Sequence, residues 1–255
     1  MSTELSKTMG PGVDQSGGGR RPFWGEPDVP EIGSWLHLCS DGTVEVYTGK
    51  AEMGQNIRTS LAQAVAEELR LPVASVHLVM ADTDRVPFDQ GTFGSRTTPI
   101  MAERLHKVAA AARELLLDLA AERWQVDRTQ LTMANGKVHH CSTGRAIGYA
   151  ELTGGRRLTK DWGDDAPVTP PDQWTTAGQS VPKVDGQAMV TGQHRYTTAL
   201  TRPGMLVGKV LRPPTFNATL TSLDTTKAEA IPGVIVVHQG NFVGVAAPDR
   251  PTATR

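Results

Sequence analysis

Gly49-Lys50-Ala51-Glu52-Met53-Gly54-Gln55-Asn56 is the stretch that decides the fold. Ahead of it, Thr43-Val44-Glu45-Val46-Tyr47 alternates as a strand, joined to Leu36-His37-Leu38 through an Asp41-Gly42 hairpin turn. Behind it, Ile57, Leu61, Ala64, Val65 and Leu69 recur at the spacing of an apolar helical stripe. Leu71-Pro72 closes that helix, and Val73 to Met80 reads as another strand. The octapeptide is therefore a glycine-bearing loop between a strand and a helix.

The pattern then repeats. Asp82-Thr83-Asp84 leads to Gly91-Thr92-Phe93-Gly94-Ser95-Arg96-Thr97-Thr98, and Thr98-Pro99 starts a helix. Met101, Leu105, Val108, Ala112, Leu116 and Leu119 carry its stripe to about Arg123, and Asn135-Gly136 marks a hairpin between Leu131–Ala134 and Lys137–Cys141. Loops of this kind let backbone N–H groups converge beside a helix N-terminus and hold an anion. Gly49 and Gly54 have the spacing of a nucleotide P-loop, but Gln55-Asn56 stands where Lys-Ser/Thr is required, which excludes a Walker-type NTPase. Gln55 offers donor and acceptor, and Arg96 a cationic fork. The plainer alternative has Gln55 fraying at the helix start and Arg96 pairing with Asp82 or Asp84.

Composition removes other classes. The 255 residues carry 26 Lys+Arg against 27 Asp+Glu, so there is no basic field for nucleic acid. Two cysteines, Cys39 and Cys141, make no disulfide scaffold and read as free thiols. No apolar run approaches the roughly 18 residues needed to cross a membrane. Residues 1–30 carry six glycines and read as a disordered or loosely draped tail. Its Arg20-Arg21 pair is followed by Pro22-Phe23-Trp24-Gly25, not by an apolar export segment, so the chain is expected to be cytoplasmic. Residues 156–177, rich in proline and holding Trp162, Asp164-Asp165 and Trp174, read as a linker docked on a surface. Beyond it, Leu206–Leu211, Leu220–Leu223, Val234–His238 and Phe242–Ala246 read as strands, with a short helix over Thr226–Ala230.

The loop sequences resemble the molybdopterin-binding large subunit of the xanthine dehydrogenase/aldehyde oxidase family, in the manner of the isoquinoline 1-oxidoreductase and nicotinate dehydrogenase molybdenum subunits. The residues that carry the resemblance are Gly49 to Gln55, Asp82-Thr83 and Gly91 to Arg96. Pro182-Lys183-Val184-Asp185-Gly186, Val190-Thr191-Gly192, Tyr196, Pro203 to Leu206, Val210 to Pro213 and Ile231 to Val234 resemble the α/β hammerhead domain of the same family. The resemblance implies an α+β chain built of α/β units. Residues 31–155 would form a molybdopterin-binding domain of strand–Gly loop–helix units, 156–177 a linker, and 178–255 an incomplete hammerhead domain. It implies that Gly54, Gln55, Thr92, Phe93, Gly94, Ser95 and Arg96 contact a molybdenum–pterin cofactor, molybdopterin or its cytosine dinucleotide form. It also implies hydroxylation of an aldehyde or N-heteroaromatic carbon by water, with electrons leaving through a [2Fe–2S] small subunit.

Two positions depart from the family pattern: Asn56 replaces the second glycine of the loop, and Ala199 an aspartate. The family's general-base glutamate has no counterpart here, so no catalytic residue and no metal ligand is assigned. The chain alone is expected to be inactive, needing the remaining part of the molybdenum subunit. A split enzyme, a truncated fragment and a non-catalytic cofactor-binding or assembly module are the competing readings. Glu52 is expected to pair with Lys50 or Arg58. Glu67-Glu68 are expected on a solvated helix face, and His139 and His140 on opposite faces of an exposed hairpin.

Overall fold

In the computed structural model, the described residues are 29–163 and 165–255. The expectation of a disordered tail falls almost wholly outside them, as do Arg20-Arg21 and Asp164. The described chain divides into two compact units, one ending at Gln187 and the other comprising Ala188–Arg255.

In the first unit, β1 (Leu36–Leu38) pairs antiparallel with β2 (Val44–Thr48), and β2 pairs parallel with β3 (Val76–Met80). A parallel pair needs a crossover, supplied by α1 (Ile57–Leu69). A single π-type turn over Thr98–Ala102 opens α2 (Glu103–Trp124), which packs against α1. The second sheet is an antiparallel meander of β4 (Leu131–Ala134), β5 (Lys137–His140) and β6 (Ala146–Gly148), followed by α3 (Tyr149–Thr153). Trp35, Leu36, Leu61, Leu69, Leu105 and Leu116 are fully buried in one core that also takes in Val138 and Ile147. The Tyr149 hydroxyl donates to the Leu69 carbonyl at 2.8 Å and so satisfies one of the open carbonyls at the end of α1.

Both α1 carboxylates expected on a solvated face are buried. Glu67 accepts the backbone N–H groups of Thr175, Thr176 and Ala177 at 2.9, 2.6 and 3.0 Å, and pairs with Arg70 at 2.8 Å. Glu68 accepts from Thr169 N–H and Oγ1 at 2.9 and 3.0 Å, meets His106 Nδ1 at 2.9 Å, and pairs with Arg113. The reason lies far along the chain. Residues 167–177 form a strap over the C-terminal half of α1, so its polar face is covered by backbone donors instead of water. Trp174 stacks on His106 with ring centroids 5.2 Å apart, and its indole N–H donates to the Thr169 carbonyl.

Burial alone would raise both carboxyls, yet the bonds they accept outweigh it and hold both below the ordinary glutamate value. Their stabilisation is therefore complete above the ordinary value of about 4.3 and is lost as pH falls through the depressed folded values. We expect the strap to detach only below about pH 4.3, seen as a tryptophan fluorescence change that disappears in Trp174→Phe. Detachment at higher pH would contradict the carboxylate anchoring.

His140 is buried, not exposed as the hairpin reading had it. It shares the inward face of β5 with Val138, packs edge-on against Trp124, and its Nδ1 accepts from Ser142 and Thr143 N–H at 3.3 Å. Cys39 and Cys141 are free thiols.

The chain crosses from the first unit to the second within α4 (Gly186–Val190). The second unit holds β7 (Val207–Val210), α5 (Thr226–Glu229), β8 (Ile235–Gln239), β9 (Phe242–Ala247) and α6 (Arg250–Thr254), with β9 central and antiparallel to both neighbours. No strand forms over Leu220–Leu223. Its leucines stand three apart, which breaks the two-residue alternation of a half-buried strand.

Candidate functional site

The two glycine loops come together. Gly49, Lys50, Ala51, Met53 and Gln55 from the first, and Gly91, Thr92, Ser95, Thr97 and Thr98 from the second, line one cavity of about 680 Å3, with Asp89 and Ile57. That volume lies in the range of small-molecule sites.

A buried ion pair ties the loops to each other. The Lys50 ammonium sits 2.9 Å from Oδ1 and 2.8 Å from Oδ2 of Asp89, and donates to the Gly91 carbonyl at 2.8 Å. Gly91 N–H returns a bond to Asp89 Oδ1 at 2.8 Å. The pair's side chains are 5% and 3% exposed, so neither charge has much water to fall back on. Gly49 is required by close approach: a Cβ there would collide with the Asp89 side chain and stand 2.8 Å from the Pro87 carbonyl oxygen.

The first loop spends its anion-binding geometry on its own carboxylate. Glu52 accepts N–H bonds from Gly54, Asn56 and Arg58 at 2.7, 3.1 and 3.0 Å, capping α1 in place of the usual side chain at the N-cap. Burial pushes the Glu52 carboxyl up, but these bonds and nearby Lys183 together hold it below its ordinary value. Of the two sequence-expected partners, Arg58 meets Glu52 through its backbone N–H instead of its guanidinium, while Lys50 pairs with Asp89.

The expected site residues divide. Gln55, Thr92 and Ser95 line the cavity, whereas Gly54, Phe93, Gly94 and Arg96 do not. Gln55 closes on its own loop, accepting from Met53 N–H at 2.6 Å and donating to the Ala51 carbonyl at 2.8 Å. Gly54 adopts φ of +107°, and its carbonyl accepts from Lys183 at 3.2 Å. Gly94 and Ser95 follow one another in the left-handed region, at φ of 63° and 57°. The Thr92 and Thr97 hydroxyls bond to each other. Phe93 is 61% exposed, as are Met53 at 87% and Phe88 at 50%, all from the two loop segments. Arg96 is exposed and pairs with neither Asp82 nor Asp84 among the described residues. Asn56, the departure from the family pattern, takes the left-handed conformation a glycine would take, with φ of 69°. Lys50, Asp89, Thr97 and Thr98 were not among the expected cofactor contacts, and the Lys50–Asp89 pair joins residues 39 positions apart that no local motif connects.

A profile of the molybdopterin cofactor-binding domain matches residues 6–201. The chain belongs to that family. It is 36% identical over 234 residues to the B subunit of nicotinate dehydrogenase from Pseudomonas putida, covering 88% of this chain and 20% of that protein. It is 28% identical to the beta subunit of isoquinoline 1-oxidoreductase from Brevundimonas diminuta, covering 78% of this chain and 31% of that one. The crystal structure of quinoline 2-oxidoreductase from Pseudomonas putida 86 overlaps 47% of this chain and 15% of its own, at 26% identity and a TM-score of 0.40. The chain thus spans a fifth to a third of the length of these curated relatives. Within the molybdopterin-binding family, the donor set of the cavity suits a pterin. Thr92, Ser95, Thr97 and Thr98 place hydroxyls on its wall, and Lys50, Met53, Gln55 and Ile57 are its longer side chains. Among the described residues, no group of three or more His, Cys, Asp or Glu side chains is placed to ligate a metal directly, and no helix is long and apolar enough to cross a membrane.

Proposed function

We propose that this chain supplies the molybdenum-cofactor-binding loops of an oxidoreductase that hydroxylates an aldehyde or N-heteroaromatic carbon. The observation that carries the reading is the convergence of both glycine loops on a single cavity of about 680 Å3. In it, Ser95, Thr97 and Thr98 hydroxyls and the Gln55 loop hold the pterin, as molybdopterin or its cytosine dinucleotide form, and Gly54, Phe93, Gly94 and Arg96 shape the loops around it. When bound, the cofactor supplies the metal centre at which water-derived oxygen is transferred and two electrons are taken up. The protein's part is to orient the group and exclude bulk water. Asp89 is the only carboxylate among the described lining residues and is locked to Lys50, so the described lining offers no free carboxylate base. The base comes from the remaining part of the molybdenum subunit, electrons pass to a [2Fe–2S] subunit, and the complex works in the cytoplasm.

A second reading rests on the same locked Asp89: the chain holds the cofactor without turning over, as an assembly module, whereas one half of a split enzyme would turn over once joined to its remainder. The two are separated by purifying the chain alone and with its co-expressed remainder and iron–sulfur subunit. Molybdenum and pterin content are then measured, with dye reduction driven by an N-heteroaromatic acid or an aldehyde. Stoichiometric pterin with turnover only in the complex is the expected result. Pterin without turnover in either preparation favours the assembly module, and absence of pterin from both overturns the cofactor reading.

A further inference from the structure

Segment 183–185 folds back onto the first loop through several contacts that no motif assigns to it. Lys183 Nζ donates to the Gly54 carbonyl at 3.2 Å and lies 3.9 Å from Glu52 Oε1. Asp185 Oδ2 stands 3.2 Å from Arg58 Nε, and Arg58 NH1 also donates to the Leu78 carbonyl of β3. Val184 N–H donates to Thr59 Oγ1 at 3.0 Å, and that buried hydroxyl donates to Asn56 Oδ1 at 2.7 Å. The four charges alternate, Lys183 to Glu52 and Arg58 to Asp185. Meanwhile the polar relay from Val184 ends on Asn56, the loop residue that replaces a glycine of the family pattern.

We propose that Lys183 and Asp185 are positioning residues for the cofactor loop, latching the backbone of Gly54–Arg58 in the shape that faces the cavity. This rests on the reading that the loop holds the cofactor. Two independent observations support it. Gly54 and Asn56 both hold positive φ, a sparsely populated conformation that asparagine adopts more readily than most residues and that surrounding contacts can fix. Furthermore, the loop's own N–H groups already bond inward to Glu52, and the Gly54 carbonyl takes its donor from Lys183. The latch ends at Asp185, one residue before α4 leads the chain into the second unit.

The test compares the wild-type full chain with Lys183→Met, Asp185→Asn, and the conservative Lys183→Arg. Amide exchange of residues 54–58 is measured on the cofactor-free chain, alongside the melting temperature. Exchange there is expected to rise about tenfold in Lys183→Met and Asp185→Asn, at nearly unchanged melting temperature, and to return toward wild type in Lys183→Arg. Unchanged loop exchange, or a rise spread evenly over the whole first unit, would overturn the latch. Retention of added molybdopterin through gel filtration is the second readout. Wild type retains it, and the two latch-breaking variants are expected to lose about tenfold in affinity. Because the exchange measurement needs no cofactor, failure of the wild type to retain molybdopterin would count against the cofactor reading without touching the latch. Equal retention by all variants would overturn the latch's role in positioning the cofactor loop.

Discussion

Glu68→Ala is expected to destabilise the first unit by about 3–5 kcal/mol, the range for removing one partner of a buried ion pair. The side chain is 0% exposed and serves four groups at once: His106, Arg113, and the N–H and hydroxyl of Thr169. Its removal leaves the Arg113 guanidinium, only 12% exposed, with Glu114 as its remaining carboxylate, and frees the strap that Trp174 seals over His106. Glu68→Gln keeps the shape and some of the bonds, so its loss is expected to be smaller. Urea unfolding followed by circular dichroism reads both. A cost under about 1 kcal/mol for alanine, the scale of an exposed pair, would mean that the hub contributes no more than a surface bridge.

The second large effect is expected at Lys50. Lys50→Ala strands the Asp89 carboxylate, 3% exposed, beside a loop whose carbonyl has also lost its donor. The expected cost is again about 3–5 kcal/mol, with molybdopterin binding lost because the loops are no longer held together. The double variant Lys50→Met/Asp89→Leu separates the two consequences. Replacing both charges with apolar groups restores most of the stability. It does not restore cofactor binding, since Gly91 still lacks the ammonium and the carboxylate that fix its carbonyl and N–H. Equal recovery of stability and binding would show that the pair serves folding alone.

Local periodicity made much of the first unit legible. The three-to-four spacing from Ile57 to Leu69 and from Met101 onward gave helices because both bury their stripe against each other, α1 also on β3 and α2 on β5. The same reasoning failed where burial is imposed by remote chain. Glu67 and Glu68 look solvated until residues 100 and more positions along supply their donors. His140 could have been read correctly, since two-residue alternation puts it on the face of Val138. In the site, glycine positions and hydroxyls were visible as motifs. The Lys50–Asp89 tie and the Glu52 cap were not, because a loop's charge reveals its partner only once the fold has chosen it.

The central claim is that the two loops face one ligand. Hydrogen–deuterium exchange of the full chain with and without added molybdopterin tests it directly. The account predicts protection at residues 49–57 and 91–98 together, with the same ligand dependence. Protection of one loop without the other, or of neither while molybdopterin binds elsewhere, would contradict it.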